Sequence, residues 1–383
     1  MCRRQEDLKR QEELFERYVS AIETEIRTRR DEIDRVSALN GAGTLYIGGG
    51  TPSVLPLQFF ERLVTALGHS GYREFTVEVN PEDVVEKGVD YIKGLVRLGV
   101  NRISMGLQSF DDGILKWMNR RHTASQAREA YHILEASGIE NISIDLIFGL
   151  PRLTETLWRD TLDQALHISA SGKLPPHISA YQLSVEEGSM LEKMLAKGMC
   201  TEASDEVCRS QYDILCETLG AVGYHHYEVS NFALPGFEAV HNSAYWNHVP
   251  YIGLGPGAHS FVPRLSSAVA ISDNPAESPF RSWNESDLKK YLHAAGNGDF
   301  AQVRGGEVLT AEQIDMEKIM LGLRTSCGVD RAFLQRCCQE EILKAALADG
   351  RLTETSDGRL RIPESLFFVS DAIILDLVCQ TSF

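Results

Sequence analysis

Three glycines followed by a hydroxyl residue, Gly48-Gly49-Gly50-Thr51, strip side chains from one point of the chain. Backbone N–H groups there can approach a charged or polar ligand group closely. The same run also suits a tight turn between a strand and a helix, so its neighbours decide its meaning. Glu78 stands just before Asn80-Pro81, where the proline fixes the exit of the chain. A carboxylate at that point can accept hydrogen bonds from a ribose or an amine. Gln108 offers both donor and acceptor groups, and Arg120 adds a cation on the helical stretch that follows. Asp145 falls inside the apolar run Ile142–Phe148. A charge in a buried strand is costly unless it is paired or faces a ligand, which favours a functional role over a structural ion pair.

A second group lies further on. His241 and Tyr245 are four residues apart and can share a helical face, and Trp246 presents a wide flat surface suited to a macrocycle. Imidazole is a good iron ligand. A packed, hydrogen-bonded aromatic cluster would use the same residue types, so both readings stay open. Asn242 reads as a residue that orients a turn. His259 ends a glycine-rich run and suits a bond to a backbone carbonyl, while His225 and His226 read as surface or supporting groups.

The elements that must position these residues follow a regular pattern. Short apolar runs at Thr44–Gly48, Glu74–Val79, Arg102–Leu107, Asn141–Phe148 and His177–Leu183 each end at a polar or glycine-rich tip and are followed by a helical stretch. That alternation predicts a parallel sheet covered by helices, with chemistry at the C-terminal strand ends. Upstream, Phe15, Tyr18, Val19, Ile22 and Ile26 carry the spacing of an amphipathic helix. Residues 263–286 are rich in Pro, Ser and Asn and read as a linker. Beyond it, Met316–Leu323 and Phe333–Leu347 read as helices, and Leu352–Ile362 as a hairpin turning at Asp357-Gly358. The expected domains are therefore a barrel-like unit over residues 1–262 and a small helical, winged-helix-like unit over 287–383.

Composition narrows the function classes. The 383 residues are 43% hydrophobic and 24% charged, and no long apolar run suggests a membrane span. A net charge of −16 argues against wholesale nucleic-acid binding. The charged N-terminal stretch lacks the apolar core of a signal peptide, which makes the cytoplasm the expected location. Eight irregularly spaced cysteines are too few for a disulfide scaffold. Cys208 and Cys216 read as core residues of a helix, and the adjacent pair Cys337-Cys338 as one core and one surface thiol.

The blocks Tyr46-Ile47-Gly48-Gly49-Gly50-Thr51-Pro52-Ser53, Glu78-Val79-Asn80-Pro81, Arg102 to Phe110 and Asp145 to Pro151 resemble, in order and spacing, those of the radical S-adenosylmethionine (SAM) proteins of the oxygen-independent coproporphyrinogen III oxidase (dehydrogenase) and HemW group. Tyr227 to Ala233, His241-Asn242-Ser243-Ala244-Tyr245-Trp246 and Gly253 to Ser260 resemble the HemW branch, marked by His-Asn-x-x-Tyr-Trp. The resemblance implies an α/β fold built on a parallel (β/α) radical SAM-type barrel. It implies SAM contacts from Gly49, Gly50 and Thr51 to the methionine portion, and from Glu78, Gln108, Arg120 and Asp145 elsewhere on the cofactor. It further implies a [4Fe–4S] cluster on a Cys-x3-Cys-x2-Cys loop, with haem candidates at His241, Asn242, Tyr245 and Trp246.

The chain departs from that pattern at the cluster loop, because no three of its cysteines have the required spacing. The barrel's first strand, which leads into the loop, is also missing from the expected order. The fold expected is therefore a partial barrel, without a cluster, from a chain that starts late relative to the family or from a cluster-free paralogue. The HemW branch implies haem or porphyrin as ligand and haem-acceptor proteins as partners. The oxidase branch implies oxidative decarboxylation of coproporphyrinogen III, with an electron donor.

Overall fold

The computed structural model of the chain describes residues 2–41, 43–262 and 280–378. Helices α1 (Cys2–Thr28) and α2 (Arg30–Asn40) come first, then strand β1 (Thr44–Ile47) and α3 (Leu57–Leu67). Strand–helix steps follow: β2 (Glu74–Val79) with α4 (Pro81–Arg97), β3 (Arg102–Gln108) with α5 (Asp112–Trp117) and α6 (Ala124–Ala136), and β4 (Asn141–Phe148) with α7 (Glu155–Leu166). Strand β5 (His177–Gln182) leads to α8 (Met190–Ala196) and α9 (Asp205–Ala221), and a hairpin of β6 (His225–Glu228) and β7 (Asn231–Ala233) leads to α10 (Val240–Trp246). Next come β8 (His259–Val262), β9 (Phe280–Asn284), α11 (Leu288–Asn297), β10 (Arg304–Val308) and α12 (Ala311–Gly322). The last described elements are β11 (Val329–Asp330), α13 (Arg331–Cys337), α14 (Glu340–Ala348), β12 (Thr353–Glu354), β13 (Arg359–Arg361) and α15 (Ser370–Val378).

The chain divides into two compact units. The first comprises Met1–Thr44, Leu55–Arg73 and Asn247–Lys318, and the second Leu45–Val54, Glu74–Trp246 and Ile319–Phe383. In the first, the apolar stripe expected on α1 is buried at Val19, Ile22 and Ile26, and the helix packs against α3 and α11. The centre of this unit is a fully buried carboxylate, Glu25. It accepts hydrogen bonds from Arg29 Nη1 (3.0 Å), Asn284 Nδ2 (2.8 Å), the Gly255 N–H (2.9 Å) and the Tyr291 hydroxyl (2.7 Å). Four donors offset the cost of burying the charge. The glycine-rich block from Gly253 to Ser260 thus closes around Glu25 and Arg29, since Arg29 also donates to the Gly253 carbonyl (2.7 Å) and to Ser260 Oγ (3.0 Å). Of the expected linker, residues 263–279 lie outside the described residues, and from Phe280 the chain is strand β9 of a β10-β9-β8 sheet.

The second unit is built on a seven-stranded sheet of order β1-β2-β3-β4-β5-β7-β6. Strands β2 to β5 run parallel, as their strand–helix alternation predicts. The hairpin β6–β7 joins β5 antiparallel, an edge that the sequence pattern does not announce. At the C-terminal end, β11, β13 and β12 form a small antiparallel sheet after α13 and α14, with the turn falling at Asp357-Gly358 as expected. The single helix expected over Phe333–Leu347 is two, because Cys338 and Gln339 adopt extended backbone and break it.

Candidate functional site

Alternation along β2 to β5 sets the site. Phe75, Val77 and Val79, then Ile103, Met105 and Leu107, then Ile142, Ile144, Leu146 and Phe148, then Ile178 and Ala180 are all buried. The intervening residues are Glu74, Thr76 and Glu78; Arg102, Ser104 and Gly106; Ser143, Asp145 and Ile147; and His177, Ser179 and Tyr181. Side chains two apart share a face, so one face of the sheet is apolar and the other mostly polar, with Ile147 an apolar member of it. Parallel sheets covered by helices on both faces read as continuous apolar runs, and this one does not. The apparent apolar run around Asp145 is therefore an alternating strand with Asp145 on the polar face.

Strand register lines up two polar rows. One runs Glu78–Ser104–Ser143–His177. The other runs Gly106–Asp145–Ser179–Asn231–Glu228, crossing into the hairpin. Ser104 Oγ lies within hydrogen-bond distance of both Asp145 oxygens, at 3.1 and 3.0 Å. Burial nonetheless pushes the Asp145 carboxyl up to about 6, the hydroxyls of Ser104 and Ser179 pulling the other way. Glu228 is fully buried; burial raises it to about 7, opposed by the Ser230 N–H and the Asn231 amide. The buried Asn231 Oδ1 has no hydrogen-bond partner among the described residues.

A buried chain of hydrogen bonds leaves Asp145. Ser143 Oγ donates to Asp145 (3.3 Å) and contacts His177 Nδ1 (2.8 Å), and His177 Nε2 meets the Tyr227 hydroxyl (2.8 Å). Tyr227 in turn accepts from the Ala239 N–H (3.2 Å), immediately before α10. The His177 tautomer with its proton on Nδ1 satisfies every link. Burial holds this imidazole neutral, well below the usual histidine range.

The glycine run behaves as a cradle. Gly49 and Gly50 have φ of +79° and +131°, and a Cβ on either would meet no atom within 4 Å. Gly48 differs, since a Cβ there would lie 2.4 Å from Tyr46 Cε1 and 2.6 Å from Glu78 Oε1. Glu78 accepts from the Gly49 N–H (3.1 Å) and from the Tyr46 hydroxyl (2.6 Å). Thr51 Oγ1 accepts from Asn80 Nδ2 (3.4 Å). Gln108 adopts a left-handed φ of 72° at a shift of register, and its amide nitrogen would lie 3.0 Å from a Cβ placed on Gly106. A side chain other than glycine at 106 would crowd it. Such backbone outliers in non-glycine residues concentrate at functional sites.

Arg120 is not on a helix as its position suggests. Helix α5 ends at Trp117, Asn119 takes a left-handed φ of 58°, and the Arg120 N–H returns to the Leu115 carbonyl (2.9 Å). This Schellman closure places Arg120 in the exit loop. Burial lowers its guanidinium from the usual arginine range against the attraction of Glu82 and Asp145.

The second group is gathered on α10. Glu74, at the start of β2, accepts from the Val240 N–H (2.8 Å) and the His241 N–H (2.9 Å) and so caps the helix from another strand. His241 and Tyr245 do share a face, with the Tyr245 hydroxyl 3.1 Å from His241 Nε2 and the rings edge-on at 4.8 Å. Tyr46 stacks on the same imidazole, at 4.7 Å and 16°. Burial brings His241 down to about 4, so the ring is neutral near pH 7. Asn242 is inside α10 rather than in a turn, because Glu74 starts the helix two residues earlier. Trp246 is its last residue and is partly buried. His225 is exposed, as a surface group, whereas His226 is buried and stacked on Phe232 at 4.1 Å, as a supporting one. His259 is exposed in the first unit, its ring 6.1 Å from that of Trp283. Cys208 and Cys338 are buried and Cys216 and Cys337 partly so.

Tyr46, Glu74, Ser104, Ser143, His177, Ser179, Tyr227, Glu228 and Asn231 enter the site although none was singled out from the sequence. The period-2 polar alternation in β2 to β5 is a signal that could have found most of them. Tyr46 and Tyr227 carry no such signal, because ring stacking and cross-strand reach depend on the folded sheet.

Comparison with known proteins gives the family and the fold. Residues 6–165 match the family model of the Radical SAM superfamily. The chain is 36% identical over 290 residues to the heme chaperone HemW of Lactococcus lactis, covering 75% of this chain and 70% of that protein. It is 33% identical over 293 residues to HemW of Bacillus subtilis, with coverage of 75% and 71%. Its fold is that of coproporphyrinogen III oxidase (HemN) from Escherichia coli, with a TM-score of 0.70 at 20% identity over 94% of this chain and 82% of that one. With a mixed α/β sheet of this order and relatives of this identity over most of their length, the chain belongs to the HemW heme chaperone family of the Radical SAM superfamily.

Proposed function

We propose that this chain binds haem on α10, with His241 as iron ligand and Tyr245 and Trp246 against the macrocycle, for delivery to haem-accepting proteins. The observation that carries this reading is the state of His241: neutral, stacked on Tyr46 and aimed at a partly exposed tyrosine hydroxyl. A neutral imidazole keeps the lone pair that haem iron needs. Iron would displace the Tyr245 hydroxyl from Nε2, and Tyr245 is 40% exposed. The name heme chaperone carried by the relatives supports the same ligand.

SAM fits the strand-end residues. Gly49, Gly50 and Thr51 offer an open, side-chain-free approach for its methionine portion, and Glu78, Gln108, Arg120 and Asp145 surround the polar strand ends with acceptors, an amide and a cation. When bound, such a cofactor supplies a sulfonium open to reductive cleavage. The [4Fe–4S] group does not fit the described residues, which contain no group of three His, Cys, Asp or Glu able to hold a metal. The role proposed is that of a haem-binding protein acting in the cytoplasm, and no described helix is long and apolar enough to cross a membrane.

Hemin titration followed by the Soret band tests the reading. His241→Ala should weaken binding at least tenfold, a change of about 1.4 kcal/mol, and alter the band, whereas Tyr245→Phe should bind at least as tightly as the parent because it removes the competing hydroxyl. Identical spectra and affinities for the parent and His241→Ala would refute it.

A further inference from the structure

We propose that Tyr46 is a positioning residue that couples the cofactor-side carboxylate Glu78 to the imidazole of His241. The functional meaning of this coupling rests on the haem reading of α10. The geometry stands without it.

One tyrosine makes both contacts. Its hydroxyl donates to Glu78 Oε1 at 2.6 Å, and its ring lies nearly parallel to His241 at 4.7 Å. A phenol bonded to a carboxylate is held in a short, directional contact, which fixes the ring's position and plane. Gly48 keeps that arrangement possible, because any Cβ there would overlap both the Tyr46 ring and the Glu78 carboxylate. The other Glu78 oxygen accepts from the Gly49 N–H in the cradle. A ligand hydroxyl or amine that binds Glu78 therefore shares an oxygen with one of these two donors or displaces it. If it displaces the phenol, the platform beneath His241 moves.

Other contacts hold α10 in place independently of Tyr46. Glu74 caps the first turn, and Tyr227 accepts the Ala239 N–H. The backbone of the helix is thus anchored, and Tyr46 acts on the imidazole ring rather than on the helix as a whole. This separates positioning from a merely structural role: loss of the hydroxyl should change the environment of His241 while leaving α10 folded.

The test uses the full chain with isotope-labelled histidine, the His241 ring signals being identified by their loss in His241→Ala. Glu78→Gln should shift those signals in the Tyr46 protein and leave them unmoved in a Tyr46→Phe background, which keeps the ring and removes the hydroxyl. Hemin affinities measured for the same four proteins should be non-additive: each single change weakens binding about threefold, and the double variant is no weaker than either. Equal His241 shifts from Glu78→Gln in both backgrounds, or no shift in either, would overturn the coupling. If the signals are coupled but His241→Ala leaves hemin binding unchanged, the coupling stands and the haem reading fails.

Discussion

Asp145 and Glu228 share a polar row, and both carboxyls are raised by burial, to about 6 and about 7. A carboxyl whose folded value lies above its unfolded one takes up protons on folding. Its stabilisation is complete below the unfolded value and is lost as pH rises through the folded one. The windows are pH 4 to 6 for Asp145 and 4.5 to 7 for Glu228, and each shift corresponds to about 3 kcal/mol at most. Asp145→Asn and Glu228→Gln should each gain stability on the parent between pH 5 and pH 8, by about 2 kcal/mol. Urea unfolding at the two pH values measures this, and parallel pH dependence in parent and variants would show that the carboxyls ionise normally. A buried carboxyl that destabilises the fold at neutral pH without an ion-pair partner among the described residues fits a ligand-binding role better than a structural one. The same scale explains why Gly48 and Gly49 differ: a Cβ meets two side chains at the first and open space at the second.

At the scale of elements, α10 is seven residues long and has no fully buried residue, so its own propensity cannot hold it. Its first turn is held by a carboxylate from β2. Glu74→Ala would leave the Val240 and His241 N–H groups without their acceptor and should cost about 2 kcal/mol. Hydrogen exchange of residues 240–246 should accelerate in that variant, and unchanged protection would show that other contacts suffice. The exit loop after α5 follows the same logic in reverse. A left-handed Asn119 closes the helix early and turns what the sequence suggests as a helical arginine into a loop residue facing carboxylates.

At the scale of the whole molecule, the two units are organised differently. The second unit builds its polar face from parallel strands, whereas the first is centred on the buried Glu25 and Arg29 pair. Removing one partner of such a pair leaves the other buried and uncompensated. Glu25→Ala should therefore cost about 3–5 kcal/mol, read as lost exchange protection in α1, α11 and the 253–260 segment. Retained protection there would mean that the Glu25 network is dispensable. This also gives the glycine-rich run at 253–257 a structural role in the first unit. Its Gly255 N–H is spent on Glu25.

Alone, the sequence determined the strand–helix alternation from β1 to β5 and the strand-end positions of Gly49, Gly50, Thr51, Glu78 and Gln108. Those follow from local periodicity and turn chemistry, which act over a few residues. It also placed His241 and Tyr245 on one helical face, a matter of 3.6-residue spacing. Only the tertiary structure decided that Asp145 belongs to a polar row ending at Glu228, that Glu74 caps a helix 166 residues away, and that Tyr46 lies between Glu78 and His241. Register and ring stacking join residues distant in the chain, and no local pattern encodes which strands become neighbours. Glu78 and His241, read separately as cofactor and haem candidates, are brought onto one tyrosine by the fold alone.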